Sequence, residues 1–275
     1  MRLSASVIGL FDSGIGGTTV LREVRLLLPD EPLLYLADQA RCPYGPNDDE
    51  TLRRFALDNT QWLLDRGAKL IVVACNTASA AALHWLRERF PGTPFVGMVP
   101  AVKPAAQESK TGVVGVLATP ATMQGRLLRD VMERWTRGVT VVEQVALGLV
   151  ELIEAGRLDD DESRALLWRY LAPMVEAGAD TVVLGCTHYP YLAPLMRELA
   201  PTLQIIDAAP AVARQVARVL HDNELAHPTG DLSLHYATTR APTRGAPTNA
   251  LRDLLDRLSL PEGTVGVAEG HPAVR

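Results

Sequence analysis

The feature that most limits the architecture is a repetition. Two series of short apolar runs, each bounded by turn residues and separated by segments of helical period, follow one another along the 275-residue chain. The first series runs Val7 to Phe11, Leu33 to Ala37, Leu70 to Ala74 and Phe95 to Met98; the second runs Gly112 to Leu117, Val139 to Val142, Thr181 to Leu184 and Leu203 to Ile206. Helical segments such as Thr51 to Arg66 and Ala78 to Arg89 lie between them. Strands alternating with helices call for parallel pairing, because parallel neighbours must be joined by a crossover. The two series also correspond in detail. Gly9-Leu10-Phe11-Asp12-Ser13 matches Gly115-Val116-Leu117-Ala118-Thr119, Val73-Ala74-Cys75 matches Leu184-Gly185-Cys186, and Pro100-Ala101-Val102 recurs as Pro210-Ala211-Val212, at offsets of 106, 111 and 110 residues. Chance likeness among apolar strands explains any one pair; three pairs at a near-constant offset point to two copies of one unit.

The expected fold is therefore α/β, with two pseudo-symmetric lobes, each a mainly parallel sheet flanked by helices, and the functional site between them. Residues 1–98 and 210–275 are expected to form the first lobe and 99–209 the second, with the C-terminal helices packing back on the first. The stretch from Ala226 to Asn249, rich in Pro, Gly and Thr, reads mostly as loop.

Composition removes several classes of function. The 27 basic and 32 acidic residues are spread along the chain and give a net charge of -5, so no basic stripe exists to meet a phosphate backbone, and nucleic acid is not expected as the primary partner. The apolar stretch near Met1 is short and runs into Asp12 without a cleavage site, which fits a first strand better than a signal peptide. No apolar run reaches bilayer length, so a cytoplasmic protein without a membrane partner is expected. Three cysteines, Cys42, Cys75 and Cys186, cannot all pair with one another and are read as free thiols.

Ligands of open parallel sheets bind beyond the carboxyl ends of the strands. Asp12-Ser13-Gly14-Ile15-Gly16-Gly17, Cys75-Asn76-Thr77 and Cys186-Thr187-His188-Tyr189-Pro190 all fall there. A buried cysteine is usually a small hydrophobe, but two at equivalent strand ends, each followed closely by threonine, are candidates for acid/base thiols. His188, two residues beyond Cys186, shares its side on an extended backbone and is either a proton shuttle or a structural imidazole. Asp12 either serves Cys75 in the same way or caps the helix opening at Gly14 to Thr18. Thr19 stands where a dinucleotide fingerprint needs its third glycine, so Gly14, Gly16 and Gly17 fit better as a tight loop bringing backbone N–H groups up to a carboxylate. Pro43-Tyr44-Gly45 is a turn or a substrate-contacting loop, and Cys42, with no counterpart in the second series, reads as a bystander.

Taken in order, Phe11-Asp12-Ser13-Gly14-Ile15-Gly16-Gly17, Pro43-Tyr44-Gly45, Ala74-Cys75-Asn76-Thr77-Ala78-Ser79 and Gly185-Cys186-Thr187-His188-Tyr189-Pro190 give a chain that closely resembles the glutamate racemases of the aspartate/glutamate racemase superfamily. The resemblance implies two cysteines facing each other across the substrate α-carbon, with no cofactor and no metal. It makes Cys75 the base toward D-glutamate and Cys186 the base toward L-glutamate, assisted by Asp12 and His188. It assigns Ser13, Tyr44, Gly45, Asn76, Thr77, Thr119, Thr122 and Thr187, with Asp12 and His188, to the substrate's carboxylates and amino group. Glu154 corresponds to an acidic residue beside the histidine, although Ala146-Leu147-Gly148-Leu149-Val150 departs from the family's usual Cys-Pro pattern ahead of it. The resemblance further implies a homodimer that supplies D-glutamate for peptidoglycan.

Chemistry agrees with this implication, since inverting a stereocentre means removing a proton from one face and delivering one to the other, and paired lobes supply one thiol per face. Three other readings compete. An aspartate racemase is disfavoured by the His-Tyr-Pro run. A pyridoxal-phosphate racemase needs a lysine in the pocket, and the chain has only Lys69, Lys103 and Lys110. An amino-acid-binding protein leaves the two strand-end thiols without a role. Cys75→Ser and Cys186→Ser are each expected to remove most racemisation, with residual α-hydrogen exchange biased to opposite enantiomers; circular dichroism on L- and D-glutamate reads the loss, and a parental rate in either variant overturns the assignment.

Overall fold

The structure, a computed structural model, describes residues 6–226, 233–240, 250–257 and 260–274. Among the described residues ten strands are formed: β1 Val7–Asp12, β2 Leu33–Ala37, β3 Ala68–Val73, β4 Phe95–Val96, β5 Val113–Ala118, β6 Thr140–Val145, β7 Thr181–Gly185, β8 Gln204–Ile206, β9 Leu234–Thr238 and β10 Thr264–Val267. Between and after them lie α1 Thr18–Leu27, α2 Asp49–Leu64, α3 Asn76–Arg89, α4 Val102–Glu108, α5 Pro120–Gln124, α6 Arg126–Trp135, α7 Leu149–Glu154, α8 Asp161–Glu176, α9 Ala193–Leu199, α10 Ala209–Asp222 and α11 Ala250–Arg257.

Every strand pair is parallel. The first sheet has the order β10-β9-β2-β1-β3-β4 and the second β6-β5-β7-β8. Stripped of β9 and β10, the first order is that of the second, strand for strand, which is the duplication seen in the sequence. In each lobe the first strand is central because both its neighbours need it. Leu10 pairs with Tyr35 on one side and Val72 on the other, and Val116 pairs with Glu143 and Val183. Burial on both faces explains why β1 is an unbroken apolar run up to Asp12. A central strand whose neighbours lie to either side is a topological switch point, where successive loops part and leave a crevice at the carboxyl ends. Asp12 and Cys75 reach it from β1 and β3, and Thr119 and Cys186 reach it from β5 and β7. The lobes share a core, in which Ile15 and Val20 join Leu117, Ile153, Leu184 and Tyr189 in one buried apolar cluster. Helix α10 packs against α1.

The reading of Ala226 to Asn249 as mostly loop is corrected in part, since Leu234–Thr238 forms β9 and extends the first sheet beyond β2, with Tyr236 paired to Tyr35 and Thr238 to Ala37. Residues 227–232 and 241–249 of that stretch lie outside the described residues. The strand is five residues long between turn-rich flanks, so composition masked it. Its physical cause is tertiary: β2 carries wholly buried residues, and an uncovered edge there would present unpaired backbone groups. β10 pairs in turn with β9. Tyr236 is buried, sets its ring edge-on to Tyr35 at 6.1 Å and donates its hydroxyl to the Pro261 carbonyl at 2.9 Å. Tyr236→Ala is expected to lower the urea midpoint by an amount equivalent to about 3–5 kcal/mol; an unchanged midpoint would show that β9 contributes nothing to the sheet.

Candidate active site

The carboxyl end of β1 delivers Asp12 into full burial, where its carboxylate accepts the Gly17 N–H at 2.9 Å and the Gly14 N–H at 3.4 Å, and the Thr187 hydroxyl of the other lobe at 3.4 Å. Helix α1 starts at Thr18, the last residue of the opening read from the sequence, and Asp12 closes the loop ahead of it without capping the helix itself. Cys75 follows β3 and caps α3, its Sγ accepting the Ala78 N–H at 3.5 Å. Cys186 follows β7. The chain then bends rather than extending, with His188 at φ -75° and ψ -35°, so the expected extended geometry is wrong. The bend still brings His188 Nδ1 to 3.8 Å from Cys186 Sγ and 4.0 Å from Asp12 Oδ2. On its far side His188 Nε2 lies 2.8 Å from Glu154 Oε1.

Glu154 ends α7, which departs from Gly148 in a left-handed conformation at φ 85°. The departure in sequence ahead of it leaves the carboxylate beside the histidine, where Oε1 also accepts the Ile15 N–H at 2.7 Å and Oε2 accepts Gln39 Nε2–H at 2.8 Å. The glycine loop does bring backbone N–H groups to carboxylates, and these belong to the protein's own Asp12 and Glu154. Its lack of side chains has a second cause. A Cβ on Gly14 would fall 1.8 Å from Glu154 Oε1, and one on Gly16 would fall 2.2 Å from His188 Nδ1.

These elements converge on one small chamber lined by Ser13, Pro43, Tyr44, Gly45, Cys75, Asn76, Thr77, Thr119, Val150, Cys186, Thr187 and His188. Most sequence candidates thus share one chamber; Asp12, Thr122 and Glu154 stand behind its wall. Thr122 acts through hydroxyls, Thr77, Thr119 and Thr122 forming a triangle with Oγ1 separations of 2.8, 3.2 and 3.0 Å that ties α3 to α5 across the lobes. The Asn76 side-chain amide is buried with neither its oxygen nor its nitrogen hydrogen-bonded to the protein. Buried amides are normally satisfied, and an unpaired one at a cavity wall is what a polar ligand engages. Tyr44 lines the chamber with its hydroxyl already committed to Asp38 and to Asn59 Nδ2. Among the lysines, none lines the chamber: Lys69 pairs with Glu31 and Lys103 sits over the Trp135 ring. A wider open cleft lined by Arg53, His84, Trp85 and Arg129 carries neither strand-end thiol.

Charge is distributed unevenly between the thiols. Burial and the neighbouring Asp12 carboxylate push the Cys75 thiol well up, against the Ala78 N–H, so it is protonated at rest. Burial also raises Asp12, which His188 partly offsets. Burial pushes His188 down, but its bonds to Cys186, Cys42 and Glu154 prevail and raise it well above its ordinary value. Glu154 is held low, burial being outweighed by His188, Gln39 and Ile15. Cys42 is no bystander to this charge: its thiol lies with Glu154 and His188 in one cluster, and burial pushes it up to about 11. Val150 and Gln39 were missed by sequence reasoning; neither residue type carries a signal there, and only the position of Gln39 just beyond β2 hinted at the crevice.

A family model described as Asp/Glu/Hydantoin racemase matches residues 18–216, and the chain belongs to that family. Its relatives place it among the family's glutamate racemases. It is 60% identical over 262 residues to the glutamate racemase of Roseiflexus sp. (strain RS-1), covering 94% of either chain, and 48% identical over 275 residues to that of Deinococcus radiodurans, covering 98% of this chain and 91% of that one. Its fold matches the structure of Escherichia coli glutamate racemase in complex with L-glutamate and the activator UDP-MurNAc-ala with a TM-score of 0.82 at 32% identity, over 96% of this chain and 98% of that one.

Gly16→Ala is expected to lower turnover about 100-fold by displacing the His188 ring, whereas Gly92→Ala, whose methyl would meet nothing within 4 Å, leaves it unchanged. Steady-state rates with both enantiomers check this, and a Gly16→Ala enzyme at the parental rate would contradict the packing argument.

Proposed function

We propose that this chain interconverts L- and D-glutamate through two opposed thiols, with neither pyridoxal phosphate nor a metal. The observation that carries the reading is the shared chamber, lined by one strand-end cysteine from each lobe and by the unpaired Asn76 amide. Escherichia coli glutamate racemase has been seen with L-glutamate, and that of Francisella tularensis, 26% identical to this chain at a TM-score of 0.81, with D-glutamate.

From L-glutamate, the Cys186 thiol first yields its proton to His188, whose cationic form Glu154 favours, and the thiolate takes the α-proton. The carbon–hydrogen electron pair moves into the α-carboxylate as an enediolate. Cys75 then delivers its S–H proton to the opposite face and is left as the thiolate; the proton held by His188 returns it to the thiol through Asp12, which lies 4.0 Å from His188 Nδ1 and neighbours Cys75. The reverse order converts D-glutamate. The α-proton is far less acidic than a thiol, so the anion has to be stabilised electrostatically in a chamber that excludes bulk water. Ser13, Asn76, Thr77, Thr119 and Thr187, with the amides at the start of α3 and the backbone of Tyr44 and Gly45, supply donors for that purpose. Thr122 orients the other threonines.

On this reading the enzyme supplies D-glutamate for peptidoglycan in the cytoplasm and works as a homodimer, and the lobes divide at 98/99 and 209/210. Among the described residues, no helix is long and apolar enough to cross a membrane. Incubating the purified chain with L-glutamate in deuterium oxide, without added cofactor, is expected to abolish the circular dichroism signal while the α-position fills with deuterium. Tight binding without exchange would replace the enzyme by a binding protein, and faster turnover of L-aspartate would reassign the substrate.

A further inference from the structure

We infer that Gln39 is a positioning residue for proton transfer at Cys186, holding the Glu154 carboxylate and through it the His188 ring, and that Thr238 on β9 fixes Gln39 in turn. This rests on the proposed role of His188 toward Cys186.

A continuous series of hydrogen bonds runs from the C-terminal part of the first sheet into the chamber. Thr238 Oγ1–H donates to Gln39 Oε1 at 2.8 Å, Gln39 Nε2–H donates to Glu154 Oε2 at 2.8 Å, and Glu154 Oε1 meets His188 Nε2 at 2.8 Å. His188 Nδ1 completes the line at 3.8 Å from Cys186 Sγ. The donor direction is fixed by chemistry at the links from Thr238 to Glu154. An ionised Glu154 accepts only, so the Gln39 amide must turn its N–H toward it and its oxygen toward Thr238. The Thr238 hydroxyl already accepts the Arg240 N–H at 3.1 Å, which directs its own hydrogen to that amide oxygen. Arg240 Nη2 also donates to the Gln39 carbonyl at 3.1 Å, so residues 238–240 hold Gln39 by side chain and backbone. Gln39, Thr238 and His188 are all buried, where a lost partner is not replaced by bulk water.

Glu154 needs this support because Ile15 and His188 both address Oε1, leaving Oε2 to Gln39. Without the amide, the carboxylate is free to turn about its last torsion and withdraw Oε1 from the imidazole. The ring then loses the orientation that aims Nδ1 at the thiol. Cys75 lies outside this line and Asp12 meets it only at 4.0 Å from His188 Nδ1, so the effect is confined in the main to the α-proton transfer at Cys186.

That confinement provides the test. Enantiomers have equal free energy, so kcat/KM falls equally in both directions whichever transfer is impaired. The primary isotope effect does not. Gln39→Leu keeps the bulk and removes the amide, and is expected to lower kcat about tenfold, as loss of a hydrogen bond to a buried charge does, with KM changed less than threefold. The isotope effect should rise for α-deuterated L-glutamate, whose label Cys186 removes, and shrink for α-deuterated D-glutamate. Thr238→Val should move both effects in the same sense by less, and Thr238→Ser should restore parental values. A parental rate in Gln39→Leu, or a lower rate with both isotope effects unmoved, overturns the proposal. Should Gln39→Leu fail to fold, the Thr238 pair decides by the same criteria. His188→Asn, measured alongside, separates the two levels: if it leaves the isotope effects in their parental balance, the role of His188 falls; if it alters them and Gln39→Leu does not, only the role of Gln39 falls.

Discussion

A stretch of backbone almost without side chains, Ser13 to Gly17, is where the two lobes meet at the chemistry, and the arrangement of the site follows from it. Gly16 leaves room for the His188 ring and Gly14 for the Glu154 carboxylate, both from the second lobe. The same backbone donates N–H groups to Glu154 and to Asp12. One loop therefore sets the distance between the lobes and helps to hold two carboxylates ionised against their burial. A side chain at either glycine would separate the lobes by the thickness of a methyl group, and the chamber between the thiols would lose its shape with them. Close approach is the reason for these glycines. Neither has a positive φ, so backbone freedom does not explain them.

Duplication accounts for the scaffold but not for the charge. β3 and β7 are equivalent strands and both end in a cysteine, yet the two thiols have different assistants. Cys75 faces a carboxylate whose own burial makes it receptive to a proton, while Cys186 faces an imidazole held cationic by a second carboxylate. The resting site is thus biased, with a proton kept on Cys75 and a cationic imidazole beside Cys186. On the proposed two-thiol reading, a substrate with one α-proton and two faces calls for that asymmetry, because in either direction one sulfur must begin empty and the other full.

How much of this was legible in the sequence depended on whether the cause was local. The strands of both lobes were readable because double-sided burial enforces continuous apolar runs, and the correspondence of Cys75 with Cys186 was readable because duplication preserves position. β9 was not, because its cause is the exposed flank of β2, some 200 residues earlier in the chain. The bend at Thr187 and His188 was not, because a turn into a short 3-10 segment leaves no periodic trace, and reading it as extended placed His188 correctly for the wrong reason. Cys42 was misread for a related cause: judged by the repeat it has no counterpart, but His188 has none either, and the two meet in space.

Apart from Val150, which lines the chamber, the residues that escaped the sequence are those that hold other side chains. Gln39 and Thr238 have ordinary residue types at ordinary positions, and only three-dimensional hydrogen-bond accounting sets them apart. The physical reason for such residues is burial. A buried carboxylate such as Glu154 cannot rely on water to fill its second oxygen, so it must be satisfied by a fixed donor, and that donor's own amide must then be fixed as well. Each polar group placed inside calls for another behind it until the series reaches a backbone or the surface; here it ends on a strand of the first sheet. A strand in the stretch read mostly as loop therefore carries the support for a histidine in the opposite lobe, and the lobes are joined through charge as well as through their common apolar core.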